Sequence, residues 1–439
     1  MDKTLEGKFW RFALPSMLAQ LLNSFFIIVD GYFIGQNLGD TGLAAINVAW
    51  PMVALIQAIS MAIGIGGAVR MAMDVGREDM DSAMKECSHA VLMLLITTLI
   101  LGLGFFLSYP YILPFLGANE ELYPLTSQYI RVVCVCAACQ VLSTGLLPLL
   151  RGQGRTMAAM ALTILGLLGN ICLDWTFIYR FQMGMRGVAL ATAISQGLSA
   201  GICFILLVTN KKWPVKLRGL KIELRRVREI LHYGISPFGL TISTSILIML
   251  TNLQALRYGD TEGVAVYAVL SYILGSVIPL VSGVGDGIQP LLSNAYGAGN
   301  WTAVAKLRRK GLSLAVGASL LCSLLCFLFK AQLPELFGAS ASAAEKCMNA
   351  MWTLCLAFPF MAAVRFLCSY FCALGMPKAS SILAYCEPLA AQPLFLYLTP
   401  LLFKLEGVWL SYPLAVILMT AAALLLLKGH RRKTIEDYD

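Results

Sequence analysis

Twelve apolar stretches, each long enough to cross a lipid bilayer, follow one another along the chain with little between them. A helical crossing needs about 20 apolar residues. The first six run Phe12–Ile34, Leu43–Val69, Ala83–Leu107, Val132–Leu150, Met157–Tyr179 and Val188–Val208. The second six run Leu231–Leu256, Val264–Leu292, Ala303–Phe329, Met351–Leu374, Ala379–Leu402 and Val408–Leu427. Inside lipid every backbone N–H and C=O must bond within its own segment, so runs of this length are helices. The sequence thus predicts an all-α polytopic membrane protein of twelve spans. Its 439 residues leave no room for a large soluble domain. Only 13% of residues are charged and 58% are hydrophobic, where a soluble domain carries about 25% charged. That excludes a soluble enzyme and a disordered chain.

The charges set the orientation. Alternate connectors, counted from the N-terminus, hold 25 of the 33 Lys and Arg residues, eight of them between 209 and 229. The positive-inside rule then places both termini and that linker in the cytoplasm of a multi-pass plasma-membrane protein. The net charge of +9 is explained by orientation and is no nucleic-acid footprint. Lys3, Lys8 and Arg11 ahead of a long first run suit a signal anchor. The 13 cysteines are odd in number and sit mostly in apolar runs. Cys136-x-x-Cys139 has no His or carboxylate neighbour and reads as packing.

The halves resemble each other at an offset near 221. Pro15 falls opposite Pro237, Gly64-Ile-Gly66 opposite Gly283-Val-Gly285, and GREDMDSAMK (76–85) opposite GAGNWTAVAK (297–306). PFLGA (114–118) aligns with ELFGA (335–339), and Gly154 with Gly375. Duplication of a six-helix unit is the simplest account. Six is even, so the copies are parallel and face each other across a central cleft, the usual frame for alternating access. The expected division is a lobe at 1–208, a linker at 209–229, a lobe at 230–428 and a tail at 429–439.

With this layout, several segments resemble the multidrug and toxic compound extrusion (MATE) transporters over the whole chain. They are Pro15 and Asp30 with IGQNLGDTGLAA after them, NICLDWTFIY (170–179), GVALATAISQ (187–196), GIQPLLSNAYGAGN (287–300) and GVWLSYP (407–413). The resemblance implies a secondary antiporter that exports small organic, often cationic, compounds against inward H⁺ or Na⁺. It implies no cofactor beyond that coupling ion.

A charge at the centre of a span costs roughly 2.5–3.5 kcal/mol on insertion scales, so buried ionisable groups are functional candidates. Asp30, Asp174 and Thr192 each lie about 8–9 Å below the outer end of their span, and Asn170 is one turn from Asp174. Two carboxylates at one dry site should share protons, and the same oxygens would suit Na⁺. Local hydrogen bonding that fixes helix packing is the alternative. The resemblance assigns the cation site of the N-terminal lobe to these four residue types, and gives Pro15 the place of a helix-1 kink. The repeat counterpart of Asp30 is Asn252, which cannot titrate, so coupling is expected in the N-terminal lobe alone.

Arg365 and Glu387 lie at similar depth on consecutive spans and suggest a buried ion pair. Asp286 is open between two readings: solvated near the cytoplasmic end of its span, or joined to that pair. Gln20, Asn23, Gln57, Gln140, Gln196, Asn252 and Gln289 are candidates for the cleft lining, about half of them serving helix contacts instead. The segments 76–85 and 297–306 are expected to form short amphipathic helices at the membrane face. No nucleotide-binding loop, HExxH or GxSxG appears, so an ATP-driven pump and a membrane enzyme are disfavoured. The alternative function is a flippase for a lipid-linked sugar, which would want a strongly basic cleft. The expected partners are a small organic substrate and the bilayer, with no nucleic acid, and the protein is expected to act as a monomer.

Overall fold

The computed structural model describes residues 3–436 except 117, 119, 121, 211–214, 217–220 and 337–340. Within its helices the side chains of 3, 26–32, 35, 36, 39, 40, 43, 245, 261, 262, 265, 335, 336, 341–343 and 430–436 are not described. The helices are α1 (Lys3–Gly76), α2 (Met80–Phe115), α3 (Tyr123–Val135), α4 (Ala137–Gly152), α5 (Thr156–Trp175) and α6 (Gly184–Val208). Then follow α7 (Leu224–Gly297), α8 (Trp301–Leu328), α9 (Gln332–Leu336), α10 (Ala341–Ala373), α11 (Pro377–Cys386) and α12 (Gln392–Glu436). Two π-helical turns, Thr176–Arg180 and Glu387–Ala391, extend α5 and α11.

Among the described residues, nine helices are long and apolar enough to cross a membrane, or ten with the bent pair α3–α4 taken as one span. α1 and α7 hold 74 residues each, roughly 110 Å if straight, which is far more than a bilayer, so each is two spans. Both spans of α7 and the second span of α1 are among the nine. The two further spans are the first part of α1 and the second half of Pro377–Gly429. α7 reverses at Asp260 (φ 51°), where a side chain on Gly263 would meet the Ala255 carbonyl eight residues back. The second span of α1 begins at Ala44. The stretch Pro377–Gly429 likewise reverses at Lys404 (φ 52°), so that Thr399 Oγ1 donates to Gly407 O at 2.6 Å. The result is twelve spans in two six-helix repeats.

The repeat is written in the backbone. α1 and α7 begin and end 221 residues apart. Positive φ recurs at the same offset, at Glu78 (63°) and Gly299 (67°), and at Gly154 (82°) and Gly375 (69°). Gln182 and Lys404 follow at 222. Asp79 caps α2 by accepting from Ser82 N, and Asn300 caps α8 by accepting from Ala303 N. These caps correct the expectation of separate amphipathic helices. The segments 76–85 and 297–306 are tight turns that open directly into membrane helices, because the side-chain oxygen satisfies the first free amides of the next helix. The fourth span also differs from expectation. It starts at Tyr123 and breaks by 60° at Cys136.

One apolar core lies in the second half and takes in Phe9, Ala13 and Met17 from the start of α1. Two others lie in the first half, one including Ile230. A fourth joins Ile65, Val69 and Met73 to Cys372, with Tyr233 and Tyr296 against them. The halves thus pack together near the ends of α1 and α7, on the face that carries the basic linker.

Candidate functional site

Small residues bring α5 and α6 together. Gly166 approaches Ser199, and Gly169 approaches Ser195, with no side chain between. Ser199 Oγ donates to Leu162 O at 2.9 Å across the pair. Such close approach is what small residues permit in membranes. Two turns along from Leu162, Asn170 Nδ2 donates to Thr192 Oγ1 at 3.3 Å. Asn170 and Asp174 are fully buried on one face of α5. Asn170 Oδ1 has no hydrogen-bond partner among the described residues. The π-helical turn begins two residues after Asp174, and such turns often mark functional sites.

Asp30 lies on α1, and its side chain is outside the described residues. Its segment is located by Phe33, whose ring meets that of Tyr179 edge-on with centroids 6.2 Å apart. Phe33 is three residues beyond Asp30 and Tyr179 five beyond Asp174. The structure therefore joins Asn170 to Thr192, holds Asp174 one turn along the same buried face of α5, and brings α1 against the end of α5 at Phe33 and Tyr179.

Asp286 accepts from Gln20 Nε2 at 2.9 Å, a bond from the first half to the second. Arg151 supplies the nearby positive charge and donates from Nη1 to Ser16 Oγ at 3.2 Å. This corrects the alternative that joined Asp286 to Arg365 and Glu387. Neither is among its partners, because α1 packs against this span at Gly283 and Gly287 and supplies Gln20 instead. Pro15 is buried within α1 beside this group. Arg365 Nη2 donates to Glu387 Oε1 at 3.0 Å, with Glu387 fully buried. The other glutamate oxygen, Arg365 Nε and the Tyr412 hydroxyl have no hydrogen-bond partner among the described residues. Of the remaining polar candidates, Gln140 and Gln289 are buried, Gln57, Gln196 and Asn252 half-buried, and Asn23 exposed. Gln289 donates to Cys372 Sγ.

A charged network closes the basic face. Arg70 pairs with Glu229 at 2.9 Å and Glu86 at 3.4 Å. Arg226 pairs with Glu86 at 2.7 Å and Glu223 at 2.8 Å. Ser82 Oγ donates to Asp74 at 2.7 Å, and Glu223 N donates to His89 Nε2 at 3.1 Å. The hydrogen bond from Arg226 holds the Glu223 carboxyl below its ordinary value. The sequence reading missed Arg151, Glu86, Asp74 and Arg226. Each stands where a span meets a loop, so only a buried acid opposite the basic run at 225–228 gave a signal.

Comparison with known proteins adds three kinds of likeness. The MatE family matches residues 15–176 and 238–394, once in each half. The multidrug export protein MepA of Staphylococcus aureus (strain MRSA252) is 25% identical over 427 residues, covering 94% of this chain and 92% of MepA. MepA of Staphylococcus haemolyticus (strain JCSC1435) is 25% identical over 287 residues, covering 64% and 62%. An outward-facing multidrug resistance MATE family transporter of the MOP superfamily superposes with a TM-score of 0.93 at 23% identity, covering 98% and 96%. A MOP superfamily transporter from Pyrococcus furiosus, described as having a binding pocket of reverse polarity that suggests a different function, gives 0.91 at 24%, covering 97% and 96%. Likeness at that identity carries the fold and not the substrate.

Proposed function

Because the chain belongs to the MatE family of membrane transporters, we propose that it exports small organic compounds in exchange for inward H⁺ or Na⁺, with the coupling ion held by Asp30, Asn170, Asp174 and Thr192. The observation that carries this reading is the buried polar set on α5 and α6, where Asp174 and Asn170 sit in apolar surroundings beside Thr192. A carboxylate there is costly unless a proton or cation accompanies it. Na⁺ would take oxygens from the two carboxylates, the amide and the hydroxyl. A proton would be shared by the carboxylates.

The lobes are 1–208 and 230–428, joined by the linker 209–229, and they rock about the central cleft. Both termini and the basic face are cytoplasmic, by the distribution of Lys and Arg. The state described is then closed to the cytoplasm, since the inter-half contacts and the charged network lie on that face. Occupancy of the site biases the first span through Pro15, where the missing N–H weakens the helix. A ligand shifts such an equilibrium only by its differential affinity for the two states. The flippase reading loses its premise, because the interior cations Arg151 and Arg365 face Asp286 and Glu387.

The test is dye efflux from vesicles under separately imposed pH and Na⁺ gradients. Asp30→Asn and Asp174→Asn should each lose gradient-driven efflux while still quenching a bound fluorescent substrate. The double variant should be scarcely worse than either. Full gradient-driven efflux by Asp174→Asn at normal expression would overturn the assignment.

A further inference from the structure

We infer that the groove between the start of α1 and the first half of α8 binds an anionic phospholipid. The groove encloses about 1010 Å³ and is lined by Trp10, Trp301, Lys306, Arg309, Leu314 and Gly317, with their neighbours. Lys306, Arg309, Ser313 and Gly317 lie on successive turns of one helix face. Two other cations of this groove are already engaged. Lys310 pairs with Glu6 and stands 5.0 Å from the centroids of both the Phe9 and Trp10 rings. Arg308 lies 5.9 Å over the Tyr370 ring. Lys306 and Arg309 are exposed and have no acidic partner among the described residues. They present two positive charges to whatever enters, flanked by two indoles of the kind that settle at the headgroup level.

The groove continues into an apolar lane. Gly317 has open space where a side chain would project, so it forms a trough floor. Beyond it Leu320, Leu321, Leu324 and Leu328 are each more than half exposed, which in a membrane-inserted helix means contact with acyl chains. A phosphodiester headgroup with two chains fits both parts. A free phosphate would use only the basic end, and phosphatidylcholine would bring a quaternary ammonium against Lys306 and Arg309. The inference needs only membrane insertion, and it stands or falls independently of the coupling site.

The experiment is native mass spectrometry of the purified protein, with phosphatidylglycerol and phosphatidylcholine of the same acyl chains supplied in equal amounts. Each basic side chain near a headgroup contributes about fivefold, so phosphatidylglycerol should be retained at least about fivefold over phosphatidylcholine. In Lys306→Gln/Arg309→Gln the two lipids should be retained about equally. Gly317→Leu, which fills the trough and keeps the charges, should also lower phosphatidylglycerol retention. Excess glycerol 1-phosphate should not displace the lipid. Equal retention of both lipids by the native protein, or an unchanged preference in the double variant, would overturn the assignment. So would displacement by glycerol 1-phosphate, which identifies a phosphate site without chains, or full retention by Gly317→Leu.

Discussion

Gly76 and Gly297 stand 221 residues apart and face each other's half of the molecule. A side chain on Gly76 would collide with the Asn294 carbonyl, and one on Gly297 with the Met73 carbonyl. Met73 and Asn294 are themselves 221 apart, so a single pseudo-twofold operation exchanges the two contacts. The same pattern recurs deeper in the membrane. Gly66 meets Ile230 O, Gly234 meets Ala62 O, Gly283 meets Met17 and Gly287 meets Phe12 O. The closed face is thus backbone pressed on backbone, which only residues without side chains allow.

Gly76→Ala and Gly297→Ala should each weaken this face by about 1–3 kcal/mol, the ordinary cost of forcing an extra carbon into a packed contact. They share one interface, so the double variant should fall short of the sum. Spin labels placed on either half near the basic face should report longer and broader distances. Unchanged distances in both single variants would mean that these glycines do not set the closure.

The charged network should rank by burial. Glu86 is fully buried between Arg70 and Arg226, whereas the side chain of Glu229 is 29% exposed. Glu86→Gln leaves two guanidinium groups short of a buried counter-charge and should cost about 3 kcal/mol. Glu229→Gln removes a partly solvated pair and should cost about 1 kcal/mol or less. Thermal unfolding in one detergent gives the order. If Glu229→Gln proves the more damaging, burial is not what governs the network.

Arg365 and Glu387 test the same physics inside the second half. Arg365→Ala alone strands a fully buried carboxylate and should cost about 3–5 kcal/mol. Arg365→Met with Glu387→Gln keeps the volume and removes both charges, so it should recover much of the folded yield. Yield of the double variant no better than that of the worse single would show that the 3.0 Å contact does not determine stability.

Much of this architecture was legible because lipid imposes so much. Long apolar runs admit one backbone solution, and the 221-residue offset was visible in pairs such as Gly154 and Gly375. The reversals at Asp260 and Lys404 fall in the short breaks between apolar runs, at 257–263 and 403–407, and only the residue that carries the positive φ was hidden, because neither is Gly. The break at Cys136 was hidden for a similar reason, inside an unbroken apolar run. Depth arithmetic suffices for residues inside a span, so Asn170 with Thr192, and Arg365 with Glu387, were natural pairs to consider. It fails at span ends. Arg151 was counted with the basic loops, yet it reaches inward to Ser16 and the charge of Asp286.

That inter-half group supplies the last prediction. Asp286 is held by Gln20 across the interface, with Arg151 as its counter-charge. Both groups are half-buried, and removing one charge leaves the other without its counter-charge, so Asp286→Asn and Arg151→Gln should each destabilise the protein. Their double-mutant cycle should show a coupling of about 0.5–3 kcal/mol, as for groups in one network. A structural latch and a coupling site then separate by function. If Asp286 is a latch, Asp286→Asn should slow efflux while the rate still responds to the imposed gradient, because the proposed ion-binding set on α5 and α6 is intact. Asp30→Asn should show the opposite pattern, with substrate bound and the gradient response lost. A gradient response abolished by Asp286→Asn and preserved in Asp30→Asn would move the coupling ion from the first half to the interface between the halves.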